Sequence, residues 1–113
     1  MSIEFEGKTI ETVGEGYLAN AEDWSEDLAR VMAQKEGIPE LTDKHWDIIN
    51  YLRDEFYNNN QHQPNNREMM KEFSERWGVR VEQKMLFDLF PGVPSKQAGR
   101  LAGLPESRRK GGY

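Results

Sequence analysis

The 113-residue chain contains no cysteine. That absence excludes disulfide cross-links, thiolate nucleophiles, cysteine-held iron–sulfur clusters and cysteine-ligated zinc. Histidine is scarce as well: His45 and His62 are too few for a His-rich metal site, so neither metal nor cofactor is expected. No apolar run approaches the roughly 20 residues of a membrane helix, and Met1 opens an acidic segment rather than a basic one followed by an apolar stretch. Neither a membrane protein nor a secreted one is predicted, and a cytoplasmic location suits the missing disulfides. Catalytic patterns are lacking too. Ser25, Ser74, Ser95 and Ser107 have no suitably spaced His, and Gly7, Gly14 and Gly16 lead into no Gly-Lys-Ser/Thr phosphate loop, so they read as turn glycines.

Large apolar side chains are plentiful. Three Trp, five Phe, four Tyr and five Met within a 36% hydrophobic composition supply one core, so 1–113 reads as a single folded domain. Charge is unevenly spread about a net −5. Residues 1–40 carry ten carboxylates against Lys8, Arg30 and Lys35, whereas residues 96–113 carry five cations against Glu106 alone. The C-terminal end should therefore attract an anionic partner or fold back on the acidic front.

The pattern of elements predicts a mainly α (α+β) fold: a small bundle of about five helices with an N-terminal β-hairpin and a mobile C-terminal arm. The hairpin occupies 1–13, where Ile3-Glu4-Phe5 and Thr9-Ile10-Glu11-Thr12 alternate around a left-handed Gly7. The bundle occupies 20–104. Its first helix is capped by Ser25, carries Leu28, Val31 and Met32, and ends at Gly37 and Pro39; its second is capped by Thr42 and carries Trp46, Ile49, Leu52 and Phe56. Asn65 or Asn66 caps a third, with Met69, Met70, Phe73 and Trp77 closed by Gly78. A short fourth runs through Met85, Leu86 and Leu89, and Ser95 caps a fifth over 96–102. The two large-residue stripes read as core. The arm occupies 105–113 and has no apolar pattern to hold it.

Two constellations invite a functional reading. His45 stands in the first turn of the second helix and reads as a partly exposed helical residue rather than a catalytic base. The third and fourth helices, joined by Gly78-Val79-Arg80, have the spacing of a helix-turn-helix, which would put Arg80, Gln83 and Lys84 at the start of a DNA-recognition helix. Two core helices meeting at a short turn explain the same pattern in an acidic chain, since phosphate contacts need Lys and Arg.

The segment Leu89-Phe90-Pro91-Gly92-Val93-Pro94-Ser95-Lys96-Gln97-Ala98, followed by Ala102-Gly103-Leu104-Pro105, resembles the C-terminal signature of the DsrC/TusE family of sulfur-relay proteins. Phe5-Glu6-Gly7-Lys8, Glu15-Gly16-Tyr17-Leu18, Trp24, the stretch 42–57, Pro64 and Arg67 extend the likeness over nearly the whole chain. The resemblance implies a helical bundle with an N-terminal hairpin. It also implies a reaction in which a cysteine on the C-terminal arm accepts persulfide sulfur. Partners would be sulfur-relay proteins or dissimilatory sulfite reductase. Here the family's cysteine positions fall on Gly99 and on Lys110, or on Gly112 when counted from the C-terminus. Neither glycine nor lysine forms a persulfide, so the family's transfer reaction is unavailable. What remains is binding, through Lys96, Gln97 and Arg100 on the fifth helix and Arg108, Arg109 and Lys110 on the arm. Three roles follow: a regulatory or accessory binder, a noncovalent component of a sulfurtransferase complex (a tRNA 2-thiouridine relay or the sulfite reductase system), and a DNA-binding regulator.

Overall fold

Glu6 and Gly7 both adopt positive φ, 50° and 77°. That pair is what a two-residue turn needs to match the twist of the strands it joins. It connects β1 (Ser2–Phe5) to β2 (Lys8–Val13) as antiparallel neighbours, with Ile3 opposite Ile10 and Phe5 opposite Lys8. The sheet continues past the expected hairpin. Gly14 and Gly16, also at positive φ, reverse the chain into β3 (Tyr17–Leu18), which pairs with the far end of β2. A two-residue strand is too short to show alternation, so sequence patterning does not reveal it.

The computed structural model describes residues 1–106. The expectations placed on Arg108, Arg109, Lys110, Gly112 and the mobility of the arm lie outside the described residues. Five α-helices follow the sheet: α1 (Glu26–Lys35), α2 (Asp43–Asn58), α3 (Asn66–Trp77), α4 (Gln83–Leu89) and α5 (Pro94–Leu101), after a single 3-10 turn at Ala21–Asp23. Their ends follow local chemistry. Ser25 Oγ accepts the Leu28 N–H at 3.1 Å, and Asn65 and Glu68 cap each other reciprocally before α3, which closes on left-handed Gly78.

Three expectations need correction. α5 is not capped by Ser95: the helix runs Pro94–Leu101, beginning two residues before the expected start, and the fixed φ and missing N–H of Pro94 suit a first helical position. The stripe on α2 is rotated, with His45, Ile48, Ile49, Tyr51 and Leu52 buried while Trp46 and Phe56 are half-buried at the core's edge. Met70 and Trp77 hold the same edge position on α3, leaving Met69 and Phe73 inside. On α2 the wide Trp46 and Phe56 reach the core from flanking positions while Ile48, Ile49 and Leu52 occupy its centre. Finally, His45 is not partly exposed but 6% exposed. Its Nε2 lies 2.8 Å from the Leu89 carbonyl and so carries the proton, while Nδ1 accepts the Thr42 N–H at 2.9 Å. The neutral ring thus pins the start of α2 to the end of α4, with Phe90 packed edge-on at 5.1 Å.

α5 lies against α1, α2 and α4, with Ala98, Leu101 and Ala102 fully buried. Ala98 and Ala102 present small side chains at this packing, which joins α5 to three other helices of the bundle.

Candidate functional site

The fifth helix carries four polar residues, Ser95, Lys96, Gln97 and Arg100, and the last two are buried. Gln97 is 3% exposed and Arg100 is 8% exposed. A buried guanidinium needs a carboxylate, and Glu36, just past the end of α1, supplies it. Arg100 Nη2 donates to Glu36 Oε1 at 2.8 Å and Nε donates to Oε2 at 3.2 Å, in a two-pronged pair. Gln97 Nε2 donates to the same Oε1 at 3.0 Å, and its Oε1 accepts the Gly92 N–H at 2.9 Å. Arg100 also stands 5.5 Å from the centre of the Tyr17 ring on β3. Burial pushes the Tyr17 phenol above its ordinary range, against the opposing pull of Arg100. For Arg100 burial disfavours the charge, but Glu36 and, to a smaller extent, Tyr17 together more than offset it and the net shift is upward. Arg100 thus ties α5 to the acidic front through one buried pair.

One turn along, α5 ends in a fully bonded cap. Gly103 at φ 75° donates to the Arg100 carbonyl at 3.0 Å, and Leu104 N–H donates to the Gly99 carbonyl at 3.0 Å. Trp24 Nε1 donates to the Leu101 carbonyl at 2.8 Å, and Arg53 Nη1 donates to the Ala102 carbonyl at 2.8 Å. The Arg53 guanidinium stacks 3.7 Å from the centre of the Trp24 ring. Gln63 Nε2 then donates to the Pro105 carbonyl at 3.1 Å. The consecutive carbonyls of Leu101 and Ala102, and that of Pro105 beyond, are therefore held by side chains from three different segments. The direction in which the chain leaves the bundle is set by side chains far away in sequence.

Gly99 sits on this same helix, buried, and a Cβ built there would meet no heavy atom closer than Gln63 Oε1 at 3.9 Å. The position has room for a side chain that the sequence does not provide. Gly103 is the opposite case: a Cβ there would lie 2.4 Å from Trp24 Cδ1.

Of the residues named from sequence, Gln97 and Arg100 come together, on Glu36. Lys96 is half-buried, which leaves it as the α5 residue among the three best placed to meet a partner. Arg80 is exposed and lies 3.8 Å from Glu82, and Lys84 is exposed and lies 3.4 Å from Asp88. Gln83 opens α4 beside them and is exposed. Glu36, Arg53 and Gln63 were not singled out by sequence reasoning. The sequence reading placed Arg100 on a docking surface, and nothing in the pattern marked Glu36, one of twenty acids, as its partner. Among the described residues no helix is long and apolar enough to cross a membrane, and no cluster of three metal-ligating side chains occurs.

Comparison with known proteins agrees with this geometry. The sequence profile of the family described as DsrC like protein matches residues 4–109. The sulfurtransferase TusE of Yersinia pestis is 42% identical over 105 residues, covering 92% of this chain and 94% of the relative. Among solved structures, the DsrC of Allochromatium vinosum superposes with a TM-score of 0.81 at 43% identity, covering 96% of both chains. The oxidized gamma-subunit of the dissimilatory sulfite reductase (DsrC) from Archaeoglobus fulgidus superposes with a TM-score of 0.85 at 32% identity, covering 97% of this chain and 99% of that one.

Proposed function

The chain belongs to the DsrC-like family of sulfur-relay proteins, and from that premise we propose that it acts by binding, as a regulatory or accessory member of a sulfur relay. The observation that carries the reading is a pairing of loss and retention. The sequence holds no thiol anywhere, while the apparatus around Gly99 is complete: the Glu36–Arg100 pair, the Trp24–Arg53 clamp, the Gly103 cap and Gln63 on Pro105. Without a thiolate no sulfur–sulfur exchange can occur on this chain.

The partners follow from the relatives' names. One is a sulfurtransferase and another is a subunit of dissimilatory sulfite reductase, so the proteins that dock those relatives are the candidates for this one. Lys96 on α5 and the basic residues Arg108, Arg109 and Lys110 supply the cationic part of the docking surface, and a thiol-free chain bound there would occupy the place of a thiol-bearing one. A cytoplasmic setting belongs to the same proposal. The test is an affinity pull-down from native lysate with the full chain beside a form truncated after Pro105, read by mass spectrometry. Recovery of relay proteins or sulfite reductase that depends on residues 106–113, with displacement by a thiol-bearing relative, supports the reading. Detection of a persulfide adduct on this chain after incubation with a persulfidated donor overturns it. Recovery of duplex DNA alone, with a steep salt dependence lost on changing Arg80 and Lys84, would replace it with transcriptional control.

A further inference from the structure

The N-terminal end of α3 carries a second site, apart from Gly99. Asn66, its first residue, is 5% exposed. Its Oδ1 accepts the Ser95 N–H at 3.0 Å, so the first turn of α5 is tied to the first turn of α3. That bond fixes the amide's orientation, since a flipped group would face one donor with another. Nδ2 is then left with two protons and, among the described residues, no acceptor. Native interiors rarely leave a buried donor in that state.

The surroundings of this orphaned donor are themselves donors. Asn66 lines a cleft of about 240 Å³ with Asn65, Arg67, Met70 and Gln83. The backbone N–H groups of Asn66 and Arg67 stand in the first turn of a twelve-residue helix, where no intrahelical acceptor exists and the helix dipole is positive. The Asn65 side chain satisfies the next N–H, that of Glu68, at 2.9 Å and leaves those two alone. Arg67 is exposed and takes part in none of the ion pairs among the described residues. Gln83, at the start of α4, adds an amide to the facing wall. The neighbouring carboxylates are engaged elsewhere: Glu68 with the Asn65 N–H at 3.2 Å and His62 Nε2 at 2.8 Å, and Glu82 with Arg80 at 3.8 Å.

We propose that this cleft binds a small oxyanion of the size and charge of sulfate, sulfite or phosphate. Such a ligand accepts from the Arg67 guanidinium and the first-turn N–H groups at once, and gives Asn66 Nδ2 its missing acceptor. A cationic ligand would face the Arg67 guanidinium and the positive end of the helix. The inference is independent of the partner reading, because it uses no residue of α5's C-terminal end or of the arm.

Uniformly 15N-labelled full-length protein would be titrated with sodium sulfite, sulfate and phosphate in separate arms, with ionic strength held constant by chloride. The signals followed are the Asn66 side-chain amide and the backbone amides of Asn66 and Arg67. Saturable shifts at all three are expected, and the arm that saturates first names the oxyanion. Asn66→Asp keeps the acceptor for Ser95 and puts a negative oxygen where Nδ2 stood, so it should abolish saturation. Arg67→Gln, at an exposed position that leaves the fold intact, should weaken binding about tenfold or more through loss of a charge-assisted contact. Shifts that chloride reproduces, or an affinity unchanged in Arg67→Gln, overturn the proposal. So does an Asn66 side-chain signal indifferent to all three anions, which would mean that a water satisfies Nδ2.

Discussion

Two turns in this protein follow helices that each close on a left-handed glycine, yet they are held in different ways. At the end of α5, Gly103 is enclosed by Trp24, the carbonyls of Leu101 and Ala102 accept from Trp24 and Arg53, and Arg100 reaches back to Glu36. These contacts span 49 to 77 residues of sequence. At the end of α3, Gly78 has nothing within 4 Å of where a Cβ would stand. The polar side chains of the turn after it pair with near neighbours, Arg80 with Glu82 and Lys84 with Asp88, while Val81 N–H donates to Ser74 Oγ at 2.9 Å. The first turn is specified by the whole fold and the second largely by itself. The heavily determined turn adjoins Gly99, the position on which the resemblance places one of the family's cysteines. Structural investment at that place is what makes a binding role the economical reading.

Removing one partner of the buried pair tests the comparison most severely. Arg100→Met leaves Glu36 and Gln97 without their cation, and should cost about 3–5 kcal/mol in urea-melt stability, the range for breaking a buried pair. Lys84→Met, at an exposed pair, should change stability by less than about 0.5 kcal/mol. If the two variants lose similar amounts, the contrast between the turns fails. The two glycines give the next largest effect. Gly103→Ala puts a methyl 2.4 Å from the Trp24 ring at φ 75°, and the clash with the positive-φ strain should cost about 3 kcal/mol. Gly78→Ala meets open space at φ 67° and should cost only the conformational part, about 1 kcal/mol. Smaller still is Trp24→Phe, which keeps the ring face for Arg53 but loses the 2.8 Å bond to Leu101. About 1 kcal/mol is expected for one hydrogen bond, together with faster amide exchange at Gly103 and Leu104.

The same contrast decides how much could be read from the sequence alone. The extent of α3 was legible, with Asn65 and Asn66 both open as its cap, because an Asn cap and a terminal Gly are local signals. The left-handed turn at Gly7 was legible for the same reason. The start of α5 was not, since Val93 at φ 61° is a β-branched residue in a conformation that sequence preference disfavours, and the helix begins at Pro94 because Asn66 receives the Ser95 N–H from another element. Lys96, Gln97 and Arg100 were grouped from sequence as one cationic surface. The fold turns the last two inward to Glu36, a partner 61 and 64 residues away that no periodicity marks. The candidate site was thus legible in its residues and illegible in its direction. Direction is a tertiary property, and the spacing of polar residues on a short helix does not carry it.

His45 gives the smallest effect and the sharpest limit on the comparison, because it is a long-range tie on the α3–α4 side of the molecule. Its ring is buried, and burial lowers its pKa against the opposing bond from the Leu89 carbonyl. The folded state therefore holds a neutral ring that donates from Nε2 and accepts at Nδ1, whereas the unfolded chain takes up a proton near pH 6.5. With the folded pKa below the unfolded one, this contribution to stability is complete above pH 6.5 and declines as the pH falls from there through the folded value. Protonation of the folded ring would also place an N–H against the Thr42 N–H, so the start of α2 should loosen in that same window. Urea melts between pH 7.5 and 5 should show the decline in the wild-type chain and its absence in His45→Gln. Amide exchange at Thr42 and Phe90 should accelerate on acidification while exchange at Leu104 does not. An equal response at the two ends would mean that His45 reports on the bundle as a whole, and that the α4 end is as firmly tied to the core as the end of α5.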